Sequence, residues 1–176
     1  MQFEATPLAG AYLINSEPRS DDRGAFGRTF CVDEFSEAGL NTSWQQANVA
    51  SNVSSGIVRG MHYQTAPHAE VKLINCIKGR VFDVIVDVRE GSPTRYQWFA
   101  AMLEASDNKQ MYVPEGFAHG YQVLEAGSSI HYLVSAAYAP QSEAGLRWDD
   151  PKLAIAWPIK SEIQLSDKDK LWPLLD

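Results

Sequence analysis

The sequence predicts an all-β domain, a sandwich or barrel with a few short helices. Two observations carry this. Short runs rich in Val, Ile, Phe and Tyr recur at a spacing of roughly ten residues. Words rich in Gly, Pro, Asn, Asp and Ser separate them, which is turn chemistry. The best helical stretch, by contrast, is short.

Taken in order, "SDDRGAFGRTF" is a polar turn followed by strand-like residues. "VDEFSEAGL" is the best helical piece, closed by Gly39, a residue suited to the left-handed end of a helix. "IVRGMHYQ", "VKLINCI", "RVFDVIVDV", "QWFAAML", "QMYVP" and "SSIHYLVSAAY" read as strands. "KGR", "EGSPT", "EASDNK" and "EAGSS" are the turns between them. The tail "LSDKDKLWPLLD" reads as a short helix or loop. No repeat, low-complexity segment or linker interrupts the pattern, so residues 1–176 are expected to form one domain.

The chain has 176 residues, enough for one sizeable core. Apolar residues make up 45% and charged residues 21%, a globular balance. A net charge of -7 argues against nucleic acid as partner, since that needs a basic footprint. It leaves room for a small anion, which one local cluster of Arg and Lys can hold. No apolar run approaches a membrane span, and the start "MQFEATPLAG" lacks the basic and apolar regions of a signal peptide. A cytoplasmic protein with no membrane partner is expected. Cys31 and Cys76 are the only cysteines and form no CxxC, so two small, buried, reduced residues are expected.

Strand parity assigns faces. Phe82, Val84, Val86 and Val88 share one face, and Val81, Asp83, Ile85 and Asp87 share the other. Asp83 among branched apolar residues either faces water or lines a polar interior with a partner. Ile130, Tyr132 and Val134 share a face in their strand, with His131 pointing the other way. His68 reads as a loop residue. Parity sets Arg59 opposite His62, so both reach one pocket only if the strand is irregular. Gly60 between them marks where a bulge could lie.

Two segments carry chemistry. One runs from Gly56 through His62, Tyr63 and Gln64, and resumes at Lys72 to end at Gly79. The other, "NKQMYVPEGFAH", opens at Asn108 and passes Pro114 and Gly116 to His119. These resemble the paired motifs of the cupin superfamily, which implies a double-stranded β-helix, or jelly roll. Asn108 stands where the motif has Gly, and both residues tolerate left-handed geometry. Two other departures bear on metal. The family's His, His, Glu, His ligand set corresponds here to His62, Gln64, Lys72 and His119. An ammonium repels a cation and Gln is a poor transition-metal ligand, so no metal site and no cofactor are expected.

A closer resemblance spans about residues 20 to 173. "DRGAFGRTF", "QANVAS", "RGMHYQ", "VKLINC", "GRVFDVIVDVR", "SPT", "VPEGFAHGYQVL", "RWDDPKLAIAWP" and "LSDKD" occur in this order. Together they resemble the dTDP-4-dehydrorhamnose 3,5-epimerase family. The resemblance implies an isomerase that epimerises dTDP-4-keto-6-deoxyglucose at C3 and C5, for rhamnose-type deoxysugar and polysaccharide biosynthesis. A 3-epimerase acting at C3 alone is the alternative. A metal-dependent cupin oxygenase and a non-catalytic sugar-nucleotide binder are the rivals from other classes. Protons on both carbons are acidified by the C4 ketone, so the chemistry needs a base, an acid on the opposite face and a donor or cation at the carbonyl oxygen.

The resemblance makes His62 the base, oriented by Asp169, and Tyr132 the acid. Lys72 and His119 fall at the carbonyl end, and Asp83 is a candidate to orient His119 as a second carboxylate–histidine pair. Arg59 is expected on the diphosphate, as a planar fork suits phosphate oxygens. Arg23, Arg28, Gln46, Asn48 and Tyr138 fall at substrate-binding positions. The family often has Glu where this chain has Arg28 and Ser where it has Ala50, differences that bear on the base and the sugar. The resemblance also implies a homodimer, in which the first strands pair with a neighbouring subunit and Arg23 reaches the partner's site.

Overall fold

The computed structural model describes residues 1–176. Thirteen strands and short helices follow one another: β1 (Gln2–Ala5), β2 (Tyr12–Asn15), β3 (Arg19–Asp21), β4 (Gly24–Phe26), α1 (Val32–Glu37), β5 (Gln46–Ser51) and β6 (Val58–Gln64). Then come β7 (Lys72–Lys78), β8 (Arg80–Asp87), β9 (Trp98–Glu104), β10 (Lys109–Val113), β11 (Phe117–Val123), β12 (Ser129–Val134), a 3-10 turn (Pro140–Ser142), β13 (Glu143–Gly145) and α2 (Asp167–Lys170). One sheet has the order β1-β2-β10-β7-β12-β5 and the other β13-β6-β11-β8-β9, with β3 and β4 a separate hairpin. Every ladder is antiparallel. This is the all-β jelly roll expected from the sequence.

The space between the sheets is filled by alternate residues of facing strands. Ile74 and Cys76 of β7, Val81 and Ile85 of β8, Phe117, Tyr121 and Val123 of β11 and Ile130 of β12 form one buried cluster. The parity of β8 holds, since Val84 and Val86 belong to a second cluster with Val58, Met61 and Trp157. There the chain after β13 covers the outer face of the five-stranded sheet. On the other sheet, Phe35 of α1 is fully buried against Ile14, Leu73 and Tyr112. Phe3 and Phe30 meet its ring edge-on at 5.4 and 4.9 Å. Burying that one ring contributes about 1.5–3 kcal/mol, which is why a helix of one and a half turns holds its place.

β11 is a central strand that alternation does not reveal. All seven of its residues, "FAHGYQV", are buried, so polar and apolar side chains both point inward or under a cover. β1, β2, β5 and β13 also lie outside the runs read as strands; three of them are sheet edges, where selection for apolar alternation is weak. β1 and β2 pair with β10 of the same chain, which leaves the β3–β4 hairpin as the only N-terminal strands outside its own sheets. Cys76 is buried as expected, whereas Cys31, at the start of α1, is only half-buried. Asn108 adopts φ +54, the left-handed geometry its motif position demands.

Candidate active site

β6 sets the site. His119 pairs with His62 but Tyr121 pairs with Arg59, so three steps along β6 match two along β11. The extra residue falls at Gly60–Met61 and turns Arg59 and His62 to the same side, as the bulge hypothesis required. Only glycine fits there. Gly60 has φ +125, and a Cβ on it would fall 2.5 Å from Gly120 Cα and 2.8 Å from the His119 carbonyl oxygen. Arg59, His62, Lys72, His119, Tyr121, Tyr132 and Asp169 all line one cavity of about 530 Å³. An adjoining hollow of about 410 Å³ shares His62, Lys72 and Tyr132 and adds Gln46, Asn48, Glu70, Tyr138 and Glu143.

The two sheets contribute opposite walls. His62 and His119 sit side by side on the five-stranded sheet. Lys72 and Tyr132 belong to the six-stranded sheet. Burial raises the Tyr132 phenol, with Arg59 pulling it down and Glu70 adding to the rise. A phenol kept protonated is a proton donor.

Asp169 comes from the tail. Gln164 runs beside Ile57 in a parallel bridge, exchanging backbone hydrogen bonds with Val58 and Gly56. This lays α2 along β6. Ser166 caps α2 by accepting from the Asp169 N–H at 3.1 Å. The Asp169 carboxylate then lies 2.5 Å from His62 Nε2. Burial pushes Asp169 up, but the His62 hydrogen bond and charge, with Ser166 and the Gly60 N–H, outweigh it and hold the carboxyl below its usual range. Nε2 is engaged by the carboxylate, so Nδ1 is the ring nitrogen left for proton transfer.

Asp83 resolves to the second of its two readings. It is fully buried and lies 2.8 Å from His119 Nε2, so a second carboxylate–histidine pair exists. Arg59 has no carboxylate partner. Its Nε donates to the Asn52 side-chain oxygen at 2.9 Å. Asn52 is itself buried, its amide nitrogen committed to the Ser128 carbonyl at 3.1 Å. Both terminal nitrogens of the Arg59 fork are thus left for an anion.

Gln64 does not face the cavity as a ligand would. Its nitrogen donates to the His68 carbonyl and to Glu70, and its oxygen accepts from the Ala139 N–H at 2.6 Å. No cluster of three or more His, Cys, Asp or Glu converges anywhere in the chain. His68 is a loop residue and His131 points away from the cavity, as read from the sequence.

Arg23 and Arg28 are not brought to the cavity within one chain. Arg23 tips the β3–β4 hairpin, 89% exposed, and grips Asp21. Arg28 pairs with Glu34 at 2.7 Å and lines a separate hollow with Met1, Glu17 and Phe26. The reason is topological: the hairpin pairs with neither main sheet. Tyr138 and Gln46 border the second hollow, linked by a Tyr138 N–H to Gln46 hydrogen bond of 3.1 Å. Glu70, Glu143 and Lys168 were not picked out from sequence. Glu143 accepts from Tyr138 at 2.8 Å and pairs with Lys168. Burial lifts the Glu143 carboxyl, but Lys168 and Tyr138 bring it below its usual range. The position of Lys168 next to Asp169 was the available signal.

The chain is similar to known proteins over nearly its whole length. The sequence profile described as dTDP-4-dehydrorhamnose 3,5-epimerase matches residues 5–176. A dTDP-4-dehydrorhamnose 3,5-epimerase of Sinorhizobium fredii is 39% identical over 175 residues, 99% of this chain and 90% of the relative. The crystal structure of dTDP-4-dehydrorhamnose 3,5-epimerase from Bacillus anthracis, with TDP and PPi bound, superposes with TM-score 0.95 and 38% identity, covering 99% of both chains. A 3'-monoepimerase from Streptomyces bikiniensis, in complex with dTDP-quinovose, gives TM-score 0.92 and 34% identity, covering 97% of this chain and 86% of that one. The chain therefore belongs to the dTDP-4-dehydrorhamnose 3,5-epimerase family and is a carbohydrate epimerase.

Proposed function

We propose that this chain inverts C3 and C5 of dTDP-4-keto-6-deoxyglucose, with His62 as base and Tyr132 as acid. The observation that carries the reading is the base and the phenol on opposite sheets, lining one cavity. Inversion needs a proton removed from one face of the carbon and another delivered to the opposite face. His62 Nδ1 takes the proton next to the C4 ketone, and the Asp169 carboxylate stabilises the imidazolium that forms. Electron density moves onto the ketone oxygen. Lys72 and His119 supply donors and positive charge there, with Asp83 orienting His119. Tyr132 then protonates the carbanion from the other side, and solvent takes the proton from His62 and returns one to Tyr132 before the second carbon reacts. Arg59 holds the diphosphate, while Gln46, Asn48 and Tyr138 border the nucleotide.

We further propose a homodimer in the cytoplasm, where activated sugars and nucleotides are made. β5 is an unpaired sheet edge carrying Gln46 and Asn48. Phe26 on the β3–β4 hairpin is 81% exposed and Val53 87%, apolar surface that a second copy would cover. Docking of that hairpin on the partner's β5 edge would bring Arg23 and Arg28 to a site they do not reach in their own chain. No helix is long and apolar enough to cross a membrane. A clean monomer by light scattering at micromolar concentration counts against the dimer.

The test is solvent exchange. The protein is incubated with dTDP-4-keto-6-deoxyglucose in D2O, and deuterium is located by NMR, for wild type and for His62→Ala. Deuterium at C3 and C5, lost in the variant, supports the reading. Deuterium at C3 alone makes the chain a 3-epimerase, like its Streptomyces bikiniensis relative. No exchange at either carbon overturns the proposal.

A further inference from the structure

The mechanism uses Lys72 but leaves unexplained how a lysine that is 8% exposed keeps its aim. Burying an ammonium without a counter-ion is costly, and a side chain left so tends to move out into water. Lys72 starts β7 on the inner side, next to the apolar Ile74 and Cys76. The one carboxylate within ion-pair distance is Glu70, with Oε1 at 2.9 Å from Lys72 Nζ. Glu70 is itself nearly buried, with 12% of its side chain exposed.

The pair is held from behind. Glu70 Oε2 accepts from Gln64 Nε2 at 3.1 Å. Gln64 is 4% exposed and cannot be turned over. Its oxygen takes the Ala139 N–H, while its nitrogen also reaches the His68 and Ala137 carbonyl oxygens. These partners fix the amide orientation, so Nε2 must face Glu70. Lys72 Nζ has a second fixed partner, the His62 carbonyl oxygen at 3.2 Å. Of three ammonium donors, two are spent within the protein and the third is left for the cavity that Lys72 lines.

We propose that Glu70 is a positioning residue. Its carboxylate, buckled to the 137–139 loop through Gln64, holds the Lys72 side chain in place and directs its third N–H to the substrate ketone oxygen. Gln64, which occupies a ligand position of metal cupins, serves here as the anchor of this buckle. The inference rests on the epimerase reading and adds to it a residue that acts through Lys72. The donor must be in place before the enolate forms, since stabilisation that needs no reorganisation is what lowers the barrier. Glu70 should therefore affect the chemical step more than ground-state binding.

The experiment measures kcat and KM for dTDP-4-keto-6-deoxyglucose in wild type, Glu70→Gln, Lys72→Met and the double variant. Glu70→Gln is expected to lower kcat about 10- to 100-fold with KM changed less than about threefold. On the Lys72→Met background the same change should cost less than about twofold, because the group it positions is gone. A kcat in Glu70→Gln equal to wild type, or an equal loss in both backgrounds, overturns the inference and leaves the epimerase reading intact. A wild type without turnover overturns both. If Glu70→Gln does not fold, Glu70→Asp carries the test, since it keeps the charge one methylene further back. It is expected to hold KM and lose kcat by about 3- to 10-fold, and wild-type kcat there overturns the inference.

Discussion

Replacing Asp169 with Asn removes a charge with almost no change in shape. In the wild type its oxygen lies 2.5 Å from His62 Nε2 and the residue is buried. When His62 accepts the substrate proton, an imidazolium forms beside a carboxylate. Charge centres roughly 4 Å apart attract by about 4 kcal/mol at an effective dielectric constant near 20. One-third of the His62 side chain is exposed, so solvent screens the pair and about 2 kcal/mol is a reasonable share. At about 1.4 kcal/mol per decade, that lowers kcat by about 30-fold. The assay is the initial rate of deuterium uptake at C3 and C5 in D2O, for wild type, Asp169→Asn, His62→Ala and the double variant. Asp169 acts through the histidine, so the double variant should be no slower than His62→Ala. A rate for Asp169→Asn within about twofold of wild type, or the same fold loss on the His62→Ala background, would refute the reasoning.

Three other outcomes follow from the same geometry. Tyr132→Phe should lose net inversion by about 100-fold or more while His62 still exchanges the proton on its own face; parallel loss of exchange and inversion, read by NMR, would take the acid role from Tyr132. Arg59→Ala should weaken dTDP binding about 10- to 100-fold and leave thymidine binding unchanged, measured by calorimetry, because its free fork is charge-assisted only toward phosphate. Asp87, fully buried, accepts from Arg89, Ser92 and Thr94, and although burial opposes it, these bonds hold its carboxyl far below the ordinary range. A carboxyl lowered on folding adds stability that is complete above the unfolded pKa near 4 and is lost as pH falls through the folded value. Asp87→Asn should therefore lower stability by about 3 kcal/mol at neutral pH, a Tm drop of about 6–12 °C. The loss should shrink on acidification, and melts from about pH 6 to about pH 3 will show whether it does.

Much of this was legible in the sequence because it depends on local rules. Runs rich in Val, Ile, Phe and Tyr exposed β6 to β10 and β12, since branched and aromatic side chains fit a pleated, packed sheet. The parity of β8 put Asp83 with Val81 and Ile85, all of which do point between the sheets. Asn108 in left-handed geometry followed from its place in a motif that needs a turn. β11 was not visible, because Ala118, His119, Gly120 and Gln122 break up its apolar residues and leave no branched or aromatic run to read.

Residue types predicted the all-β class, and the motif words carried the likeness to an epimerase family, which in turn implied His62, Lys72, His119, Tyr132 and Asp169 as one set. Tertiary structure decided which atoms meet. The bulge at Gly60 puts Arg59 and His62 on one side of β6, against their parity. The tail, 107 residues from His62 in sequence, places Asp169 on its ring. The choice between water and His119 for Asp83, and the buckle of Gln64 and Glu70 behind Lys72, are likewise contacts across strands. Periodicity reports what one segment prefers, whereas hydrogen-bond partners depend on register and on which sheets face each other, and these are set only when the whole chain closes around its core.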